Sequence, residues 1–191
     1  LQRGLPLGDI PEVADILRRV ERSGTITVEE FADFVRFHKA AQGLYHFVQR
    51  YGATKKSLQV LLIGIDLLEP WSRKHFPLLD VKGEIADSAS EDLRALRKLS
   101  QDLHKKIQEK LREYLSNPKL TEVMQEFYVT VRDGRYVIPV KASFRARVPG
   151  IIHDVSSTEA TLFIEPQEVV DANNQLKVVE KEIQVEIERI L

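Results

Sequence analysis

The apolar positions follow a helical period through the first two-thirds of the chain. Ile10, Val13, Ile16, Leu17 and Val20 recur at helical spacing, with Asp9 placed to cap, Pro11 in the first turn and Gly24 closing the element. Thr27 with Glu30 three residues on is a capping-box pattern. It opens a longer helix with an inner face of Phe31, Phe34, Val35, His38, Ala41, Tyr45 and Val48, ending at Gly52. Leu58, Leu61, Leu62, Ile65 and Leu68 predict a third helix stopped by Pro70. Trp71 to Pro77 reads as a connector, followed by a short apolar turn at Leu78, Leu79 and Val81. Ser88 and Glu91 repeat the capping-box pattern, and a long helix follows to Ser116. At 1.5 Å per residue it spans about 43 Å. Leu93, Leu96, Leu99, Leu103, Ile107, Leu111 and Tyr114 share one half of its circumference. Asn117-Pro118 ends it and starts a short helical turn.

The period then switches to two. Phe127 to Val131 and Tyr136 to Val140 alternate and are rich in β-branched and aromatic residues. Asp133-Gly134 between them is a hairpin signal, because both central positions of such a turn need positive φ. Pro149 to Val155 and Ala160 to Ile164 read as two further strands. Pro166 opens a final long helix whose main stripe is Val169, Ala172, Leu176, Val179, Ile183, Ile187 and Ile190. A second, weaker row is Val170, Val178 and Val185, and a helix apolar on two sides needs two neighbours. The layout is α+β, predominantly α: a helical core, two long helices, and a small β module inserted at their tip.

Composition narrows the chemistry. The 191 residues carry 28 basic and 29 acidic side chains, a net charge of −1, and no cysteine. The lack of cysteine excludes a disulfide framework, zinc-thiolate and iron–sulfur sites and a thiol nucleophile, and makes a cytoplasmic location the expectation. The longest apolar run, Val60 to Ile65, is far below the roughly 20 residues of a membrane span, so no membrane partner is expected. The sole methionine is Met124 and the first residue is Leu1, which reads as a piece of a longer protein.

The near-neutral total hides a local excess. Residues 131–153 hold Arg132, Arg135, Lys141, Arg145 and Arg147 against Asp133 alone, a net +4, interleaved with Tyr136 and Phe144. If the chain is extended, Arg145 and Arg147 point the same way, with Lys141 in register unless Ser143 sits in a bulge. Such a row suits sequence-independent phosphate contact. It equally suits an edge strand guarded by charge against aggregation.

Catalytic constellations are weak. His153-Asp154 with Ser156 and Ser157 contains the residue types of a triad, but adjacent strand residues face opposite sides, so a turn stabilised by Asp154 and the serines is the better reading. His38, His46, His75 and His104 include no pair at helical metal-ligand spacing. The glycines form no phosphate-cradling loop. No catalytic, cofactor or metal site is expected in this stretch.

Residues 129–191, "VTVRDGRYVIPVKASFRARVPGIIHDVSSTEATLFIEPQEVVDANNQLKVVEKEIQVEIERIL", closely resemble the type-two MutS family, bacterial MutS paralogues with a C-terminal Smr nuclease domain. "GEIADSASEDLRALRK" at 83–98 and "GLPLGDIPEV" near the start resemble it too. The resemblance implies a partial helical core over 1–86, lever helices over 87–117 and 167–191, and a β-rich clamp over 118–166. It strengthens the reading, drawn from the local charge excess, that Arg132, Arg135, Lys141, Arg145 and Arg147 contact nucleic acid. It further implies a full-length homodimeric ATPase and endonuclease, using ATP and magnesium held outside this stretch, that binds branched DNA and suppresses homologous recombination. The family is also linked to splitting stalled ribosomes, which makes ribosomal RNA a second partner class. Family members often carry Gln and Gly near positions 155 and 159, where this chain has Val155 and Glu159.

Three functions follow as expectations. The first is a non-enzymatic DNA clamp and lever. The second is a docking or dimerising arm that uses Val170, Val178 and Val185. The third is a hydrolase built on His153.

Overall fold

A computed structural model describes residues 10–52, 56–60 and 62–191. They form six α-helices, a four-stranded antiparallel sheet and several 3-10 turns, an α+β arrangement that is predominantly α. The chain divides into two compact units. One comprises the described residues up to Glu91 with Ile187–Leu191; the other is Asp92–Glu186.

The first unit begins with α1 (Ala14–Ser23), whose N-cap, Val13, makes no side-chain cap bond. The expected Asp9 cap lies outside the described residues. Gly24 ends α1 at φ 74°, its N–H donating to the Val20 carbonyl, the left-handed cap for which glycine carries no Cβ penalty. α2 (Val28–Tyr51) opens on the full capping box at Thr27 and Glu30. The Thr27 backbone N–H, joined by Arg19, holds the Glu30 carboxyl below its ordinary value. Phe31, Val35, His38 and Val48 on its inner face are buried.

The region after α2 departs from the expected single helix. α3 (Lys56–Val60) is followed by a turn in which Gly64 has φ 81°, and Leu61 lies outside the described residues. Pro70 opens a helix rather than stopping one: it lies in the first turn of α4 (Glu69–His75), where its missing N–H would have had no helical partner. The expected connector from Trp71 is therefore mostly helix, continued by a 3-10 turn at Phe76–Leu78. Trp71 stacks on His75 with centroids 4.6 Å apart and meets Phe34 edge-on at 5.2 Å. Leu79 and Ile85 form a β-bridge.

The second unit contains nearly all of α5 (Glu91–Leu115) and α6 (Val170–Ile190) with the sheet. A 3-10 turn at Asp87–Ala89 precedes α5, so the helix starts three residues after Ser88, outside reach of the expected capping box. The two helices run antiparallel. Lys110 Nζ donates to the Glu168 carbonyl at 3.1 Å, and His104 Nε2 lies 3.8 Å from Glu180. Leu103, Ile107 and Leu111 of α5 form one core with Ala172, Leu176 and Val179 of α6 and with Ile138, Val140 and Ile164 of the sheet. Of the expected apolar face of α5, Leu93, Leu103, Ile107 and Leu111 are buried, Leu96 and Tyr114 are half-buried, and Leu99 is exposed.

The strands are β1 (Thr130–Arg132), β2 (Arg135–Lys141), β3 (Gly150–Val155) and β4 (Thr161–Pro166), in the order β1-β2-β4-β3. The Asp133-Gly134 hairpin forms as expected, with φ of 50° and 73°. β1 is shorter than expected, leaving Phe127 and Tyr128 exposed ahead of it. β4 extends through Pro166. A 3-10 turn at Gln167–Val169 then leads into α6, which therefore begins later than expected. After β2 the chain turns through a 3-10 segment at Ala142–Arg147, not the extended row the charge spacing suggested.

Burial sets the energetic weight of these positions. Ile107→Ala removes a fully buried side chain from the core between the helices and the sheet. It should cost about 2–5 kcal/mol, whereas Leu99→Ala should cost well under about 2 kcal/mol. Denaturant unfolding followed by circular dichroism measures both.

Candidate nucleic-acid interface

A buried carboxylate organises the β module. Glu165 of β4 is completely inaccessible to solvent. Arg135 Nη1 from β2 donates to its two oxygens at 2.9 and 3.2 Å, and His153 Nε2 from β3 donates to Oε2 at 2.6 Å. Asn173 Nδ2 from α6 donates to Oε1 at 2.8 Å and to the Tyr136 carbonyl at 3.2 Å. Tyr136 N–H returns a bond to Asn173 Oδ1, and Arg135 Nη2 donates to Asn174 Oδ1 at 2.6 Å. The Tyr136 hydroxyl lies 2.8 Å from His104 Nδ1 on α5. One charged centre thus ties three strands to α6, and through Tyr136 to α5. Nearby on α5, burial and the Glu168 charge push the Tyr114 hydroxyl above its ordinary pKa.

Two local features build this centre. The register between β3 and β4 shifts between Ile152 and Asp154, so His153 is the extra residue of a β-bulge, a device that re-aims a side chain. Gly150 lies against the β4 backbone. A Cβ there would sit 2.1 Å from the Glu165 carbonyl oxygen, so only glycine fits.

The five basic residues singled out in the sequence occupy four different environments. Arg135 is spent on Glu165, with 17% of its side chain exposed. Arg145 Nη1 and Nη2 donate to the carbonyls of Val148 and Gly150, each at 2.9 Å, bracing the loop into β3. Arg132 lies 4.2 Å from the centroid of Phe163 and pairs with Asp154 at 3.0 Å. Lys141 and Arg147 lie together: the first donates to the Glu122 carbonyl at 3.0 Å, the second pairs with the Glu122 carboxylate at 3.0 Å. Both flank Phe144, at 6.0 and 5.5 Å from its centroid. The side chains of Arg132 and Arg147 are 37% and 47% exposed.

The His153-Asp154-Ser156 string divides between structural partners. His153 turns to Glu165 and Asp154 to Arg132. The Ser156 Oγ accepts from Thr161 N–H at 3.0 Å and closes the β3–β4 turn. Glu159 in that turn has φ 58°, a conformation glycine takes freely, at the position where the resembled family often carries glycine. Among the described residues, no group of three metal-ligating side chains converges.

Sequence reading missed Glu165, Asn173 and Asn174. A signal was present: Glu165 closes an otherwise apolar strand, and a carboxylate in such a setting needs partners.

Glu165→Ala would leave Arg135 buried without its counter-charge and should cost about 3–5 kcal/mol. Arg135→Met combined with Glu165→Leu should cost less than the two single changes summed, as a double-mutant cycle in urea would show. Glu159→Gly should stabilise by roughly 0.5–1 kcal/mol by relieving the left-handed residue, read as a raised unfolding midpoint.

Comparison with known proteins completes the picture. No family model matches the chain. Endonuclease MutS2 of Bacillus velezensis is 33% identical over 189 residues, covering 97% of this chain and 24% of the relative. Its namesake from a Geobacillus strain is 34% identical over 194 residues, covering 100% and 25%. The namesake from Thermomicrobium roseum is 47% identical over 110 residues, covering 58% and 14%. The chain spans about a quarter of the length of the first two relatives. Relatives of this similarity along nearly its whole length place the chain in the type-two MutS, or MutS2, family.

Proposed function

We propose that the β module is a nucleic-acid clamp and that α5 and α6 are the levers that carry it, within a larger MutS2 protein. The observation that carries this reading is the cluster of Lys141 and Arg147 around Phe144, together with the Arg132–Phe163 pair of the same module. Guanidinium and ammonium groups held over aromatic faces beside a partly exposed surface suit phosphate and base contact without sequence readout. On this reading Arg132, Lys141 and Arg147 touch the backbone. Arg135 and Arg145 act by shaping the module, since their donors are taken by Glu165, Asn174 and main-chain carbonyls.

The relatives' name, endonuclease, supports DNA as the partner of the whole protein. In that protein the clamp would hold branched DNA for ATPase and nuclease segments outside this stretch, and so oppose homologous recombination. The clamp stretch itself would bind and not cut.

The test is binding of the 191-residue chain to a four-way junction, a duplex and a structured RNA across a salt series. Junction affinity should fall steeply with salt. Combined Arg132→Ala and Arg147→Ala should weaken it across all sequences and lower the salt slope by about two. Glu159→Gln should tighten it slightly by removing a negative charge from the β3–β4 turn. Unchanged affinity in the double variant would overturn the assignment, and preference for the RNA would redirect it to the ribosomal partner class.

A further inference from the structure

The outer edge of β2 carries an aromatic tip that the packing of the module does not use. Met124 bridges to Val140 and Thr130 pairs with Val137, so six residue steps on one side face three on the other. The surplus makes the chain leave β2 in a bend at 125–127 and return to it at β1. Both roots of this excursion are fixed. Val123 and Met124 are buried, the Lys141 N–H donates to the Val123 carbonyl at 2.9 Å, and Val129 packs on the core. At the tip, Phe127 and Tyr128 are 57% and 40% exposed. Among the described residues neither ring packs on another ring, and the Tyr128 hydroxyl has no hydrogen-bond partner. Two adjacent aromatic rings held out on a firmly rooted bend call for a flat apolar partner.

The surroundings say which kind. One root lies beside Lys141 and Arg147, which both hold Glu122, and the other leads directly to Arg132. Arg132 stands opposite Arg135 on β2, six residues from Lys141, so the two cationic ends are about 20 Å apart along the strand. At the duplex spacing of roughly 3.4 Å per nucleotide, about six phosphates span that distance. The aromatic tip lies between the ends. Glu126, exposed beside Phe127 and without an ion-pair partner among the described residues, keeps phosphate off the tip itself. The edge thus offers phosphate contact at its ends and uncharged ring faces in its middle, the pattern that suits a strand with a base turned toward the protein. A paired base has both faces covered by its neighbours in the stack, whereas an unpaired base has a face free for an aromatic ring.

We infer that Phe127 and Tyr128 form a stacking platform for an unpaired base of DNA, of the kind that a single-stranded arm exposes. The inference rests on the clamp reading above and supplies what the cations alone lack, a preference for unpaired over duplex DNA.

Fluorescence anisotropy of the 191-residue chain with labelled poly(dT), a duplex of the same length and poly(U), each across a salt series, tests this. The unmodified chain should bind poly(dT) more tightly than duplex. Phe127→Ala with Tyr128→Ala should weaken poly(dT) binding roughly ten-fold and duplex binding by less than about two-fold. The loss should be equal at every salt concentration, because stacking releases no counterions. Phe127→Leu with Tyr128→Leu keeps apolar area without a π face and should lose as much as the alanine pair. Phe127→Trp with Tyr128→Trp should keep the affinity. Circular dichroism should be unchanged in every variant, since both positions are exposed. Leucine variants that bind as the unmodified chain does overturn the inference, as does a loss shared equally by poly(dT) and duplex. Poly(U) bound more tightly than poly(dT) overturns DNA as the source of the base. Absence of binding to all three removes the clamp reading and this inference together. Salt-dependent binding that the aromatic changes leave intact overturns this inference alone.

Discussion

A single carboxyl side chain in a dry place governs the β module. Glu165 has no contact with water, and an isolated carboxylate there would cost several kcal/mol or more in lost hydration. The surrounding fold satisfies it. β2 supplies Arg135, a bulge turns His153 out of the alternation of β3, and the start of α6 supplies Asn173. Gly150 lets the two strands approach closely enough for these bonds to form. Such a centre penalises misregistered alternatives, because a one-residue slip of β3 or β4 would strip the carboxylate of partners. The module is small and its core is shared with α5 and α6. The hydrogen bonds to Asn173 and Asn174 add orientation to what apolar packing alone would leave adjustable.

The same centre changes the meaning of the basic stretch. Along the sequence, residues 131–153 are a run of positive charge; in space, most of it has counter-charge. Arg135 meets Glu165, Arg132 meets Asp154 and Arg147 meets Glu122. Segment charge counts only neighbours along the chain, and all three carboxylates lie outside the counted segment. These pairs differ in burial. Glu165 is fully enclosed, whereas Asp154 and Glu122 keep 47% and 68% of their side chains in water. An exposed pair is worth little and is easily exchanged for another anion. On the proposed reading, the arginines on exposed partners are those a phosphate can recruit.

Much of the architecture was legible because it rests on local chemistry. The Thr27–Glu30 box needs only four residues, and the Asp133-Gly134 turn only two. The stripes of α5 and α6 repeat often enough for the period to be unmistakable. Where local chemistry was ambiguous, the reading strayed. Pro70 can end one helix or begin the next, and the left-handed Leu68 before it belongs to the second case. "SFRAR" has no periodicity strong enough to separate a strand from a 3-10 turn. The deciding bonds, from Arg145 to the Val148 and Gly150 carbonyls, depend on β3 already being in place. The Glu165 centre was hidden for the same reason. Its four main participants span residues 135 to 173, and only the closed sheet brings them together.

The antiparallel course of α5 and α6 joins the sheet to the rest of the chain through one helical pair. The chain enters and leaves the sheet through neighbouring turns, with Lys110 bonded to Glu168 across the pair. Whole heptads added to both helices preserve the facing stripes and carry the sheet outward by about 10 Å per heptad. Reach and grip are thereby separate variables in this fold: arm length can drift between relatives while the strands, the bulge and the buried carboxylate stay as they are.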